Sequence, residues 1–157
     1  MKWPKNRPWT VALPTVQDTE ALGAELGREL ETGDLVVLSG PLGSGKTALA
    51  RGIGAGLGIR GPVTSPTFVI ARVHRGPRVP LVHVDAYRLN GLDEIDALDL
   101  DTDLSDAVVV VEWGEGLVER LAEEHLLIRL ERDEGVEGSE FGSETRIAQG
   151  MWMGSHG

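Results

Sequence analysis

The sequence predicts an α/β fold built on a mostly parallel sheet with antiparallel additions. Residues 34–39 and 107–111 contain continuous apolar runs of strand length, which are typical of strands buried on both faces of a parallel sheet. Helical patterns flank the first run, so strands and helices alternate early in the chain. Strand patterns at 68–73 and 80–84 are closely spaced, which indicates a hairpin and accounts for the antiparallel part.

The first helix is expected to begin at Thr15. Thr15 and Asp18 have the Ser/Thr-x-x-Asp/Glu spacing of a capping box. Leucines then recur every four residues, which gives the helix one apolar face: Leu22, Leu26 and Leu30. Gly33 is the expected end of this helix, because glycine commonly follows the last helical turn.

A second helix is expected from about Gly45 to Leu57, with Gly58 as its C-terminal cap. Three glycines lie inside this helix, where each costs up to about 1 kcal/mol relative to alanine. They are Gly52, Gly54 and Gly56. Close packing of the helix on the sheet is the expected reason for these glycines.

The second half of the chain has weaker patterns. Residues 92–100 and 117–124 are predicted helices, and residues 125–130 are a predicted strand. A polar, glycine-rich loop is expected at 131–143, while the stretch from Ile147 onward has no clear pattern. The 157 residues fit a single domain, 1–157, in which about ten residues at each end are expected to be flexible.

The composition excludes several classes of site. The sequence has no cysteine, so disulfide scaffolds, thiolate zinc sites, iron–sulfur clusters and cysteine nucleophiles are excluded. No apolar run approaches the roughly 18 residues of a membrane span. The basic start is not followed by the apolar segment of a secretory signal, so a cytoplasmic protein is expected.

The formal net charge of −10 is unevenly distributed along the chain. Residues 1–84 have 10 basic and 6 acidic side chains, a net of +4, whereas residues 85–144 have 4 basic and 19 acidic ones, a net of −15. The second half would repel a nucleic-acid backbone, so strong direct binding of RNA or DNA by this chain alone is not expected. Two interpretations of the acidic half stay open, a solvated surface that aids solubility and a docking face for a basic partner.

A phosphate loop follows the first predicted buried strand and precedes the second helix. Its eight residues match the pattern G-x-x-x-x-G-K-[ST] in full: Gly40, Pro41, Leu42, Gly43, Ser44, Gly45, Lys46 and Thr47. Glycines let the backbone approach phosphate oxygens closely, and the helix N-terminus attracts negative charge. Lys46 would reach the β- and γ-phosphates of ATP, and Thr47 would offer its hydroxyl to Mg²⁺. The pattern therefore predicts a three-layer fold of the P-loop NTPase type.

Two acidic residues at predicted strand ends are candidates for the second magnesium ligand. Glu112 follows an alanine and four valines, and it resembles a Walker B acid with Glu in place of the more usual Asp. Asp85 ends another strand and is expected to bind magnesium or to orient the attacking water. His83, in the same strand, is interpreted as a hydrogen-bonded core histidine rather than a catalytic group.

Four segments of the chain resemble, in order, the TsaE (YjeE) family, small bacterial ATPases of tRNA threonylcarbamoyladenosine biosynthesis. They are 33–59 around the phosphate loop, 63–68 (VTSPTF), 83–89 (HVDAYRL) and 110–115 (VVEWGE). The phosphate loop is common to many families, whereas the combination of SPTF, H-x-D-x-YR and EW is specific. The resemblance extends from about Thr15 to Leu130, most of the chain.

The resemblance implies a catalytic set and two cofactors, ATP and Mg²⁺. Hydrolysis would depend on the phosphate-loop lysine and the two strand-end acids, Lys46, Asp85 and Glu112. The metal would lie near Thr47 and the same two acids. Pro41 departs from the family, which commonly has an acidic residue there.

Further residues would surround the nucleotide or a partner, on the same resemblance. A nucleotide-responsive loop would contain Thr64, Ser65 and Thr67. Trp113 would flank the nucleotide site or the partner surface. Val16 and Thr19, near the start of the first helix, would pack near the adenine.

The resemblance also implies two protein partners of the TsaB and TsaD type, whose transferase complex would be reset by slow, partner-stimulated ATP hydrolysis. Two alternatives stay open. A small-molecule kinase would share the phosphate loop and the magnesium acid, with Arg72, Arg75 and Arg78 as the nearby basic cluster. A nucleotide-dependent binding module would hydrolyse ATP negligibly.

Overall fold

The structure, a computed structural model, describes residues 7–40, 45–59, 71–75, 79–85, 107–112, 124–132 and 145–154. Its helices and strands in chain order are β1 (Trp9–Leu13), α1 (Val16–Glu29), β2 (Leu35–Ser39), α2 (Lys46–Gly56), β3 (Ala71–His74), β4 (Leu81–Asp85), β5 (Val108–Glu112), β6 (Glu124–Arg132) and β7 (Arg146–Gly154). The predicted helix at 92–100 and residues 117–123 of the later one lie outside the described residues.

The strands form one seven-stranded mixed sheet in the order β1-β7-β6-β2-β5-β4-β3. The four central strands, β6, β2, β5 and β4, are parallel to their neighbours within this group. Strand β3 is antiparallel to β4 at one edge, and β7 and β1 are antiparallel additions at the other. This arrangement confirms the predicted α/β class, including its antiparallel hairpin.

The two apolar runs of the sequence form the centre of the sheet. All five residues of β5 are buried, and so are the first four of β2. Strands covered on both faces cannot alternate apolar with polar side chains, which is why these segments read as continuous runs of Val and Leu. They pack with leucines of both helices and an isoleucine of the second helix in one hydrophobic core.

The capping box at the start of α1 is present as predicted. The Thr15 hydroxyl oxygen accepts a hydrogen bond from the backbone N–H of Asp18 at 3.2 Å, and the Thr15 N–H donates to the Asp18 carboxylate at 3.0 Å. The helix ends at Glu29, earlier than predicted, because Leu30 is already extended. Gly33 instead lies in the turn before β2, where its φ is 96° and its N–H donates to the Ala107 carbonyl at 3.0 Å.

The cap at the end of α2 is also confirmed. Gly58 has a φ of 86°, in the left-handed region that favours glycine. Its N–H donates to the Ala55 carbonyl at 3.0 Å, and the N–H of Ile59 donates to the Gly54 carbonyl at 3.0 Å. This pair of bonds is the Schellman motif, which satisfies carbonyls that the last helical turn leaves unpaired.

Helices α1 and α2 approach so closely that glycines form their contact. A Cβ atom at Gly52 would overlap the carbonyl oxygen of Glu20, which belongs to α1. A Cβ atom at Gly56 would overlap another carbonyl oxygen of α1. From the other side, Gly23 and Gly27 lie against the backbone of α2 in the same way. The expectation that Gly52 and Gly56 serve packing on the sheet is therefore wrong, because their neighbours belong to a helix.

The two ends of the described chain pair with each other. Trp9 lies opposite Gly150 in the β1–β7 ladder, and the Trp9 ring occupies the space that a side chain at Gly150 would need. Residues 9–10 and 148–154 belong to these two strands, and β7 is the structure of a stretch whose sequence had no clear pattern. The expected flexibility of the chain ends stays a prediction.

Several strand boundaries differ from the sequence expectation. Strand β6 begins at Glu124, which the sequence assigned to a helix, and it extends to Arg132, past the predicted end at Leu130. Strand β3 begins at Ala71, while residues 68–70 of its predicted range lie outside the described part. Within the described ranges, no helix has both the length and the apolarity needed to cross a membrane.

Replacing Gly52 by alanine should destabilise the protein, although alanine is more favourable than glycine inside a helix by up to about 1 kcal/mol. The added methyl group would overlap the backbone of α1, and overpacking of this kind typically costs about 1–3 kcal/mol. The free energy of unfolding, measured by chemical denaturation, should therefore fall.

The matched control is Ala55→Gly at an exposed position of the same helix, which measures the propensity term alone. A Gly52→Ala variant more stable than the wild-type protein would show that the two helices do not approach as described.

Candidate functional site

The candidate site lies where the parallel strands β2, β4 and β5 end. Asp85 and Glu112, the last residues of β4 and β5, are direct partners in the ladder, and Leu38 of β2 is opposite Glu112 on the other side. Parallel strands bring their carboxyl ends to one edge of the sheet, which is where α/β proteins commonly bind ligands. The two acids that the sequence singled out therefore lie at one edge, beside the start of the phosphate loop at Gly40.

The described ends of the phosphate loop have the conformation that its glycines permit. Gly45, the N-cap of α2, has φ 101° and ψ 14°, a left-handed conformation, and its carbonyl accepts the N–H of Leu49 at 2.9 Å. The first N–H groups of a helix lack intrahelical partners and carry a partial positive charge, so they attract anions. The four residues between these ends, 41–44, lie outside the described part of the chain.

Lys46 is buried although lysine is rarely found inside proteins. Only 5% of its surface is exposed, and its Nζ donates a hydrogen bond to the Gly40 carbonyl at 2.6 Å. This bond connects the first helical residue of α2 to the end of β2 across the loop. A buried ammonium at a helix N-terminus concentrates positive charge there, which suits a phosphate group.

Glu112 is the second buried charged residue of the site, at 5% exposure. Its Oε1 lies 3.4 Å from the Thr47 hydroxyl, and its Oε2 lies 2.5 Å from Nε2 of His83. Three elements, α2, β5 and β4, thus contribute one side chain each to a connected group.

The donor set of Thr47 and Glu112 suits a hard cation such as Mg²⁺. A hydroxyl and a carboxylate are oxygen ligands, and Mg²⁺ takes one or two protein ligands together with phosphate oxygens and waters. Asp85 shares the same edge by its ladder position, while its side chain lies outside the description. In the described ranges no three or more His, Cys, Asp or Glu side chains form a cluster able to hold a metal by themselves.

Helix α1 also borders the phosphate loop. Thr19 is 2% exposed, its hydroxyl donates to the Thr15 carbonyl at 3.4 Å, and its Cγ2 would lie 3.7 Å from a Cβ at Gly45. Val16 is 53% exposed at the first position of the helix. Thr19 therefore lies beside the phosphate loop, and the Val16 side chain is accessible. The expectation that both residues pack near the adenine stays a prediction.

Eight further site residues that the sequence suggested lie outside the described residues. They are Pro41, Leu42, Gly43, Ser44, Thr64, Ser65, Thr67 and Trp113.

The contact of His83 with Glu112 is the feature that sequence reasoning missed. His83 is fully buried and hydrogen-bonded, as its interpretation as a core histidine required. Its partner, however, is the candidate magnesium acid. The two residues are 29 positions apart, and only the pairing of β4 with β5 brings them together.

Comparison with protein families supports the resemblance seen in the sequence. The model of the family described as threonylcarbamoyl adenosine biosynthesis protein TsaE matches residues 13–140. A relative from Mycobacterium tuberculosis named tRNA threonylcarbamoyladenosine biosynthesis protein TsaE is 57% identical over 153 residues, covering 91% of this chain and 86% of that protein. A protein of the same name from Streptomyces coelicolor is 64% identical over 117 residues, covering 73% and 79% respectively.

A solved structure shares the fold. The crystal structure of YdiB from Bacillus subtilis superposes with a TM-score of 0.71 at 28% sequence identity, covering 92% of this chain and 84% of that one. This similarity confirms the predicted α/β fold of P-loop type.

Replacing Lys46 by methionine should separate anion binding from stability. Methionine has nearly the length of lysine, and loss of the hydrogen bond to the Gly40 carbonyl should cost about 1–3 kcal/mol, so the variant should fold. Tripolyphosphate, which has the anionic part of ATP, should raise the midpoint of thermal unfolding of the wild-type protein, because a ligand stabilises the state that binds it. We expect the Lys46→Met variant to lose this rise.

The control for this calorimetric measurement is Arg51→Met, which removes an exposed cation from the same helix. Its response to tripolyphosphate should match that of the wild-type protein. An undiminished rise in the Lys46→Met variant would contradict the role assigned to Lys46.

Proposed function

Since the chain belongs to the TsaE family of threonylcarbamoyl adenosine biosynthesis proteins, we propose that it serves tRNA threonylcarbamoyladenosine biosynthesis as a magnesium-dependent ATPase subunit. Its ATP hydrolysis would reset a partner transferase complex between rounds of modification. The observation that carries the proposal is the meeting of Lys46, Thr47 and Glu112 at the carboxyl edge of the sheet.

Phosphate binding is supported by the two ends of the loop. The buried Lys46 ammonium and the N-terminus of α2 both attract negative charge, and Gly45 permits the left-handed backbone from which the helix begins. A triphosphate bound there would exchange contact with water for contact with fixed positive groups. The arrangement suits a nucleoside triphosphate, and the resemblance to the TsaE family implies that this ligand is ATP.

Magnesium would be held by the Thr47 hydroxyl and the Glu112 carboxylate, with Asp85 adjacent in the ladder. Bound there, the ion would supply charge stabilisation to the transferring phosphoryl group. In this proposal the residues of the chain align the phosphates, exclude water from the buried side of the carboxylate and hold the hydroxyl near it. Asp85 would orient the attacking water.

The proposed partners are two proteins of the TsaB and TsaD type, which would hold the transfer chemistry. The charge distribution supports this division of roles. With a net of −15 over residues 85–144, the second half repels tRNA and leaves its handling to the partners. By its charge, the same acidic half would complement a basic protein surface.

The test uses a reconstituted system that contains the two partners, tRNA and ATP. Lys46→Ala and Glu112→Ala should each abolish multiple-turnover modification while leaving a first turnover, because only the reset would fail. The magnitude expected for loss of a charged group that acts in the transition state is about 10²–10³ in the steady-state rate. Arg51→Ala is the control on the same helix and should support normal turnover.

Full multiple turnover by both variants would refute the reset role. Transfer of labelled γ-phosphate to a metabolite rather than to water would instead favour the small-molecule kinase. Absence of hydrolysis by the wild-type protein, with and without partners, would favour a binding module.

A further inference from the structure

We propose that His83 is a positioning residue that holds one oxygen of Glu112 so that the other faces Thr47. The proposal deepens the proposed function, on which it rests wherever magnesium and ATP are concerned. It starts from burial and distance. The His83 side chain is 0% exposed, and its Nε2 lies 2.5 Å from Glu112 Oε2, a short contact between two buried polar groups.

The location of His83 in the sheet explains how it reaches Glu112. In the parallel β4–β5 ladder, His83 is opposite Val110, two residues before Glu112. Residues two apart along a strand share one face of the sheet. His83 therefore lies on the same face of the sheet as Glu112, on the neighbouring strand and two residues before it in the ladder. From this buried position its ring contacts the Glu112 carboxylate.

The chemistry of the two groups determines the direction of the bond. An ionised carboxylate only accepts hydrogen bonds, so Nε2 of His83 carries the hydrogen. The other ring nitrogen, Nδ1, is buried without a hydrogen-bond partner among the described residues. Of the two neutral tautomers, the one with its hydrogen on Nε2 donates to Glu112 and is therefore favoured.

The bond matters because a glutamate side chain has more rotational freedom than the aspartate more usual at this position. Ordering such a side chain costs conformational entropy unless a contact holds it. His83 supplies that contact at Oε2, which leaves Oε1 at 3.4 Å from the Thr47 hydroxyl. Groups that orient a metal ligand from behind typically change metal affinity or activity about 10–100-fold when they are replaced.

The first test needs neither metal nor nucleotide. Nitrogen-15 NMR of histidine-labelled protein should show the Nε2–H tautomer for His83, with the resonances assigned by their loss in His83→Gln. In Glu112→Ala this tautomer preference should weaken, because the acceptor is gone. An unchanged tautomer in Glu112→Ala would overturn the proposal.

The second test compares two amide replacements that differ in where they place the donor. Glutamine puts its NH₂ near the position of Nε2, whereas asparagine puts it near Nδ1, too far back to reach Glu112. The apparent magnesium affinity, measured by titrating Mg²⁺ against binding of a fluorescent ATP analogue, should be close to wild type in His83→Gln. In His83→Asn it should fall about 10–100-fold.

His125→Gln is the matched control, since His125 is a second buried histidine near the beginning of β6, at the opposite end of the parallel strands. It should not change the magnesium affinity. Chemical denaturation of each variant confirms that it is folded before the comparison. Equal magnesium affinity in His83→Asn and the wild-type protein would overturn the proposal.

The two tests also distinguish this proposal from the proposed function. If the wild-type protein fails to hydrolyse ATP with its partners while the tautomer responds to Glu112→Ala, the ATPase role is wrong and the positioning of Glu112 stands. If hydrolysis occurs and His83→Asn behaves as wild type in both tests, the ATPase role stands and the positioning role is wrong.

Discussion

The buried carboxylate of Glu112 is the group on which the rest of the site depends, because an ionised group removed from water must be paired or hydrogen-bonded. Its two contacts come from different directions, His83 from β4 and Thr47 from α2. The His83 contact exists only while β4 and β5 keep their register, since a shift of one residue would place the two side chains on opposite faces of the sheet. The parallel core is therefore a requirement of the site as well as its support.

The position of helix α2 is the second requirement of the site, and the close glycine contact between α1 and α2 determines that position. Glycines inside a helix lower its intrinsic stability, and here that cost is offset by a backbone approach that larger residues would prevent. The same approach brings Thr19 of α1 against Gly45 at the start of α2. The helix N-terminus that is proposed to bind phosphate is thus positioned by a neighbouring helix as well as by the strand that precedes the loop.

The donor set at the sheet edge is small, and this agrees with the proposed use of a nucleotide. A hydroxyl and a carboxylate would hold Mg²⁺ weakly without phosphate oxygens, since this ion dehydrates reluctantly and is usually bound with substrate phosphates. Metal and ATP would then enter together. Such coupling is suited to a subunit whose task is to change state with the nucleotide.

The sequence by itself determined the features that depend on short spacings. The Thr15–Asp18 capping box, the Gly58 cap and the buried runs of β2 and β5 were all predictable, because each depends on a few adjacent residues. Of the candidate site, Lys46, Thr47 and Glu112 were found in this way.

Only the tertiary structure decided which distant segments meet. Strand β1 pairs with β7 from the far end of the chain, and neither segment has a strong pattern alone. The helix that Gly52 contacts and the acid that His83 holds were equally unpredictable, because spacing along one segment has no information about the segment packed against it.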